Sequence, residues 1–210
     1  LANIAPTYII LGNHDGNLKN DNRQDAITPI VEALEHKNIH LLKNSGETKV
    51  NEKITLNVLS VFDRENWIKP TDRDSINIAL YHGSIHGCQT SQGFIIQEGE
   101  DSVDIFSDFD FAFLGDIHKQ QKMDLKGRVR YAGSTIQQNF GESINKGFLL
   151  WKIKDKHDWD CQHVSILNPR PFVTVDLTPE GKLPTRIVPK GCRLRIRSSA
   201  NVSPMMLKAA

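Results

Sequence analysis

Short apolar runs alternate with polar stretches rich in glycine and proline from residue 8 to residue 198. Apolar runs of this length that contain many Val, Ile, Phe and Tyr residues and end at turn residues are typical of β-strands. The pattern predicts strands over residues 8–11, 38–42, 54–62, 76–81, 109–114, 128–133, 147–153, 161–166, 172–177 and 193–198. The runs at 76–81 and 109–114 are mostly apolar, which is typical of strands buried on both faces.

One helix is predicted after the first strand, over residues 25–36. Its four apolar positions share the three- and four-residue spacing of one helical face: Ile27, Ile30, Val31 and Leu34. Pro29 is compatible with the first turn, where its nitrogen is not required to donate a hydrogen bond. Few helical patterns follow residue 140, so the later part of the chain is expected to be rich in strands.

The bulk composition is that of an ordinary globular protein. Of the 210 residues, 39% are hydrophobic and 24% are charged. No apolar stretch approaches the ~20 residues that a membrane span requires, and the first residues lack the pattern of a signal peptide. The three cysteines, Cys88, Cys161 and Cys192, are widely spaced and form no Cys-x-x-Cys pair, which fits a reducing compartment. We therefore expect an intracellular, cytoplasmic protein with no membrane partner.

The net charge of +1 conceals a strong asymmetry along the chain. Residues 1–120 contain 10 Lys and Arg against 18 Asp and Glu, whereas residues 121–210 contain 16 against 7. An acidic part followed by a basic part can pair metal cations with a polyanionic substrate, although an ordinary solvated surface can also segregate its charges in this way.

Three predicted strands run into loops of the same chemistry. The loops are Gly12-Asn13-His14-Asp15 after the first strand, His82-Gly83 after residues 76–81, and Gly115-Asp116-Ile117-His118 after residues 109–114. Because ligands in open α/β sheets bind at the carboxyl ends of the strands, we expect these loops to converge at one sheet edge. Imidazole, carboxylate and amide oxygen together suit Mn²⁺, Fe²⁺ or Zn²⁺, and the oxygens favour Mn²⁺. The repetition favours a metal site over three unrelated polar turns.

These loops resemble the last three signatures of the calcineurin-like metallophosphoesterases. The continuation YAGSTIQQNFGESINKGFLLW (131–151) is similar to a segment that follows the last histidine motif in DNA repair exonucleases of the SbcD type. The resemblance covers roughly residues 5–200. It implies an α/β fold, namely a two-sheet sandwich flanked by helices and followed by the beginning of a small α+β capping domain. The nuclease domain would occupy residues 1–168 and the capping domain residues 169–210.

The resemblance implies a metal-dependent DNA exonuclease or endonuclease subunit that hydrolyses phosphodiester bonds in DNA break repair or phage DNA metabolism. Two divalent ions, expected to be Mn²⁺, would lie ~3.5–4 Å apart and share the charge of the transition state. The implied partners are DNA and a coiled-coil ATPase of the SbcC type, and a homodimer is compatible with the pattern.

Two alternative functions remain open. One is a metallophosphoesterase for small substrates, either a phosphatase or a cyclic-nucleotide phosphodiesterase, and the basic, strand-rich tail argues against it. The other is a degenerate relative that serves as a non-catalytic scaffold. Such relatives usually lose their histidines, whereas His14, His82 and His118 are all present.

The resemblance also implies a role for each candidate residue. The metal ligands would be Asn13, His82, Asp116 and His118. His14 would protonate the leaving oxygen or stabilise charge there, and Asp15 would orient His14. The residues expected to contact nucleic acid follow the last motif: Lys119, Arg130, Ser134 and Gln137.

The sequence departs from the family pattern in two places. Asp116 stands where the family usually has histidine; a carboxylate still binds a divalent ion but favours harder metals. The first two family motifs, Asp-x-His at the start and Gly-Asp-x-x-Asp, are missing, and we expect them upstream of Leu1. The chain is therefore expected to be an excerpt, shortened at both ends and inactive by itself.

Overall fold

The computed structural model describes residues 1–20, 23–178, 180, 182–184 and 188–199. The strands within these residues are β1 (Thr7–Ile10), β2 (Ile39–Leu42), β3 (Gly46–Lys49), β4 (Ile54–Leu59), β5 (Ile76–His82), β6 (Phe111–Gly115), β7 (Gln121–Lys122), β8 (Val129–Tyr131), β9 (Gly147–Ile153), β10 (Trp159–Ser165), β11 (Phe172–Asp176) and β12 (Arg193–Arg197). The helices are α1 (Thr28–Leu34) and two 3-10 helices, Arg64–Asn66 and Val103–Phe106. All predicted strands are present, and the predicted α/β class is confirmed.

The chain divides into two compact units. The first comprises Leu1–Gly133 and Leu149–Gln162. The second comprises Ser134–Phe148 and the described residues from His163 onward. The predicted division into domains at residue 169 stays a prediction.

A six-stranded mixed sheet forms the centre of the first unit, in the order β3-β4-β5-β6-β8-β7. The four inner strands are parallel, and the two edge strands β3 and β7 are antiparallel to their neighbours. The carboxyl ends of the inner strands therefore share one edge. The register pairs His82, the last residue of β5, with Gly115, the last residue of β6. Two of the three predicted site loops thus begin side by side.

Apolar side chains pack against both faces of this sheet. On β5 and β6, Ile78 and Phe111 belong to one buried cluster, whereas Tyr81 and Leu114 belong to the other. Successive side chains of a strand point to opposite faces, so a mostly apolar run supplies two cores at once. The prediction that these two strands are buried on both faces is confirmed.

Strands β1 and β2 form a separate parallel pair that precedes the central sheet in the chain. Neither strand contains a fully buried residue. Tyr8 of β1 and Leu42 of β2 nevertheless pack against the cluster that contains Phe111. This pairing brings the loop after β1 to the central sheet.

Helix α1 is shorter than the predicted helix because residues on both sides take other conformations. Oδ1 of Asp25 accepts hydrogen bonds from the backbone N–H groups of Ile27 (2.9 Å) and Thr28 (2.6 Å), which fixes the turn before the helix. Glu35 has a left-handed conformation (φ 44°) and ends the helix. No residue of α1 is buried, and the exposed fractions of Ile30 and Leu34 are 57% and 59%.

In the second unit, β11 and β12 form a parallel pair. The guanidinium groups of Arg193 and Arg195 lie over the rings of Phe172 and Phe140, at 4.7 and 4.8 Å from the ring centroids. Across the described ranges of both units, no helix has the length and apolar character needed to cross a membrane.

Candidate active site

The imidazole of His82 is enclosed by two glycines from the other site loops. A Cβ atom at Gly12 would lie 2.7 Å from Cε1 of His82, and one at Gly115 would lie 2.9 Å from Nδ1. Carbon atoms in ordinary contact are ~3.5–4.0 Å apart, so a side chain at either position would displace the ring. The close approach of His82 therefore explains the glycine in both loops.

Three of the four predicted metal ligands come together around this ring. Nε2 of His82 lies 3.2 Å from Oδ1 of Asn13 and 3.6 Å from Oδ1 of Asp116. The side chains of His82 and Asp116 are each 24% exposed, so the group is open to solvent on one side. One loop residue from each predicted strand end thus contributes a donor atom to the same place.

The backbone at Asp116 is strained. Its φ of 88° is unusual for a residue other than glycine and costs of order 1–3 kcal/mol. The backbone is therefore not extended at Asp116. The bend directs Asp116 toward His82, Ile117 is buried, and His118 is exposed.

His118 is not part of the His82 group. Its carbonyl oxygen lies against Gly133, where an added Cβ would be 3.0 Å away. Within residues 1–20, 23–178, 180, 182–184 and 188–199, no three His, Cys, Asp or Glu side chains are grouped closely enough to hold a metal ion. The role of His118 as a ligand stays a prediction.

The donor chemistry of the His82 group fits one divalent ion. Asn13, His82 and Asp116 offer an amide oxygen, an imidazole nitrogen and a carboxylate oxygen, which together suit Mn²⁺. Burial lowers the pKa of His82, although the carboxylates of Asp116 and Asp15 oppose this shift. The neutral ring favoured by burial is the form that binds metal ions.

His14 and Asp15 lie beside this group. His14 is exposed and lines a cavity of about 540 Å³ together with Asn13 and Asp15. Oδ2 of Asp15 accepts a 2.7 Å hydrogen bond from the Gly12 amide, which closes the loop upon itself. No hydrogen bond joins Asp15 to His14 in the described residues, so the orienting role of Asp15 stays a prediction.

In the first unit, the two residues predicted to contact nucleic acid are engaged within the protein. Nζ of Lys119 donates a hydrogen bond to Oε1 of Gln89. Arg130 is 8% exposed, its Nε donates to the Gly127 carbonyl at 2.5 Å, and its guanidinium lies over the Trp151 ring. These contacts give Arg130 a structural role, and its contact with nucleic acid stays untested.

In the second unit, Gln137 is 4% exposed and makes hydrogen bonds to the backbone on several sides. Its Nε2 donates to the carbonyls of Glu142 and Phe172, and its Oε1 accepts from the Phe172 amide. Gln137 therefore holds the start of β11. The hydroxyl of Ser134 is buried and has no hydrogen-bond partner among the described residues. Nucleic-acid contact by either residue stays a prediction.

Sequence reasoning missed one residue that supports the site, Tyr131. Its hydroxyl donates to the Gly83 carbonyl at 2.6 Å and accepts from the Ile85 amide at 2.9 Å. These bonds fix the segment that follows His82. The sequence signals were the position of Tyr131 in a predicted strand and at the start of the 131–151 segment, and neither indicated this supporting role.

Two viral proteins are similar to this chain. One is "Uncharacterized protein R555" of Acanthamoeba polyphaga mimivirus, 34% identical over 207 residues, which cover 93% of this chain and 15% of the viral protein. The other is "Putative phosphoesterase 244L" of Invertebrate iridescent virus 6, 28% identical over 162 residues, which cover 72% of this chain and 53% of that protein. No protein-family profile matches. The second similarity suggests a phosphoesterase-like family. The chain spans about half the length of this second relative and a much smaller part of the first.

Proposed function

We propose that this chain forms the nuclease part of a metal-dependent phosphodiesterase that acts on DNA. The observation that carries the proposal is the position of His82 between Gly12 and Gly115, with Nε2 within 3.2 Å of Asn13 and 3.6 Å of Asp116. Three loops from separate strands supply these groups, and their donor atoms suit a divalent ion. The similarity to a protein named as a phosphoesterase supports a hydrolase that acts on phosphate esters.

We assign separate roles in metal binding and proton transfer to the residues of the site. Asn13, His82 and Asp116 would hold an ion, and His14, which faces the cavity, would donate a proton to the leaving oxygen. A bound Mn²⁺ supplies Lewis-acid polarisation of a phosphoryl oxygen. The segment around Gly83 and Ile85 that Tyr131 fixes would keep His82 in position.

The choice of DNA as the substrate rests on charge and on the resemblance to the SbcD-type exonucleases. Residues 121–210 carry 16 Lys and Arg against 7 Asp and Glu, and a basic surface attracts a polyanionic strand. The same resemblance leads us to propose an SbcC-type coiled-coil ATPase as the partner. A second ion and further ligands, including His118, are part of the proposal.

The test is the hydrolysis of end-labelled DNA by the native gene product in the presence of Mn²⁺. Replacing His14 with Ala should lower the rate by about 10²-fold or more and leave the bound Mn²⁺ unchanged. Replacing His82 with Ala should remove both cleavage and an ion. His157→Ala is the matched control, because His157 is exposed in a turn and contributes nothing to this group.

Two results would contradict the proposal. Unchanged cleavage in the His82→Ala protein would show that this group does not perform the reaction. Hydrolysis of bis(p-nitrophenyl) phosphate without any cleavage of DNA would replace DNA by a small phosphodiester as the substrate class.

A further inference from the structure

The cavity beside His14 carries two cations that have no role in the chemistry described above. Its lining includes Lys19 and Arg23 as well as Asn13, His14 and Asp15. Its volume of about 540 Å³ lies within the range of sites that bind small molecules. The described lining thus includes His14 together with both cations.

Lys19 and Arg23 are exposed, and neither forms an ion pair with another residue in the described part of the chain. Among the described lining residues the acid is Asp15, whose carboxylate already accepts a hydrogen bond from the Gly12 amide. Two cations against one carboxylate in this described lining suit an anion.

Local hydrogen bonds hold the backbone that carries Lys19 and Arg23. The Ala26 amide donates to the Asp15 carbonyl at 2.7 Å, and both cations lie in the stretch of sequence between these two residues. Within it, the Lys19 amide donates to Oδ1 of Asn17 at 2.9 Å. The Arg23 amide donates to the Asn20 carbonyl at 3.1 Å. The backbone that carries both side chains is thus held at the cavity.

We propose that this cavity binds a second phosphate group of the substrate, adjacent to the phosphate that reacts beside His14. Arg and Lys form strong charge-assisted hydrogen bonds with phosphate oxygens, and two cations can bind one phosphate group. The ligand class is a nucleotide that carries a phosphate next to the scissile one, either within a strand or as a free nucleotide. This inference rests on the proposed function, because His14 defines the reacting phosphate.

The test measures binding without catalysis. Calorimetric titrations of the 210-residue chain in EDTA would use thymidine 3′,5′-bisphosphate, a single-stranded thymidine hexanucleotide, and thymidine itself. Both phosphate-bearing ligands should bind and thymidine should not. Replacing Lys19 or Arg23 with Gln should weaken binding of the bisphosphate by about tenfold each, the typical worth of a charge-assisted hydrogen bond. Lys37→Gln is the matched control, because Lys37 is exposed and does not line the cavity.

The hexanucleotide distinguishes the two sources of the phosphate. Tighter binding of the hexanucleotide than of the bisphosphate assigns the cavity to a strand, and the reverse assigns it to a free nucleotide. For the hexanucleotide, the slope of log K against log salt concentration should become less negative by about 0.7 for each cation removed.

The proposal is overturned if the wild-type chain binds neither phosphate-bearing ligand, if thymidine binds equally well, or if both Gln variants bind like the wild type. Circular dichroism of each variant shows whether it is folded, and the exposure of both side chains makes a loss of fold unexpected. Because the titration contains no metal and requires no hydrolysis, a failure of the proposed nuclease activity leaves its result unaffected.

Discussion

The contribution of the Tyr131 hydroxyl to the segment that follows His82 can be measured as a change in the free energy of unfolding. Tyr131 has no exposed surface, and its hydroxyl bonds to the Gly83 carbonyl and the Ile85 amide at 2.6 and 2.9 Å. Tyr131→Phe keeps the ring and leaves a buried carbonyl and a buried amide without a partner. Each such group costs about 1–3 kcal/mol, so the free energy of unfolding should fall by about 2–6 kcal/mol. That is a large share of the roughly 5–15 kcal/mol of a typical domain.

Urea unfolding followed by circular dichroism measures this loss. Tyr8→Phe is the matched control, because Tyr8 is half-buried and its hydroxyl has no hydrogen bond in the described residues; its effect should stay within about 0.5 kcal/mol. If the free energy of unfolding of the Tyr131→Phe protein lies within about 0.5 kcal/mol of the wild-type value, this prediction is refuted.

The same hydroxyl predicts a loss of stability in alkali. Burial raises the pKa of Tyr131 far above the ordinary value of about 10. The folded chain therefore keeps a proton that the unfolded chain releases, so this contribution is complete below about pH 10 and is lost as the pH rises further. The wild type should lose more stability between pH 9 and 11 than Tyr131→Phe, and parallel profiles would contradict the assignment.

Three further predictions concern the site and the turn before α1. Burial alone would raise the pKa of Asp25, but hydrogen bonds from Lys43 and nearby backbone N–H groups outweigh it and hold the pKa below its usual range. Asp25→Asn should therefore lower the free energy of unfolding by about 1–2 kcal/mol at pH 7. The difference between the variant and the wild type should narrow as the pH falls below about 4. A difference that stays constant with pH in urea titrations would contradict this. Gly12→Ala should weaken Mn²⁺ binding in calorimetry by about tenfold with little loss of stability, because its Cβ would displace the His82 ring; unchanged affinity would refute this packing argument. Equilibrium dialysis should find one Mn²⁺ held by the His82 group of the 210-residue chain and lost in Asp116→Ala, whereas unchanged binding in this variant would show that Asp116 is not a ligand.

The sequence by itself determined the kinds of elements and the loops that carry the chemistry. Apolar runs bounded by turn residues reveal a strand because their pattern is local, and the runs at 76–81 and 109–114 became β5 and β6. The edge strands β3 and β7 were not predicted because GETK and QK have no apolar run to identify them. The site loops could be located in advance because each follows a recognisable strand, and the resemblance to the metallophosphoesterases singled out Asn13, His82 and Asp116 within them.

Only the tertiary structure decided how those residues meet. The register that places His82 opposite Gly115 depends on the pairing of two strands 33 residues apart, and no local pattern specifies it. The positive φ of Asp116, which turns its side chain toward His82, is not specified by any local pattern. Burial is likewise a property of the assembled fold: Arg130 and Gln137, predicted to contact nucleic acid, are enclosed by groups distant in sequence, such as Trp151 and Phe172. Local physics therefore determines which residues carry the chemistry, and long-range packing determines which of them share a site.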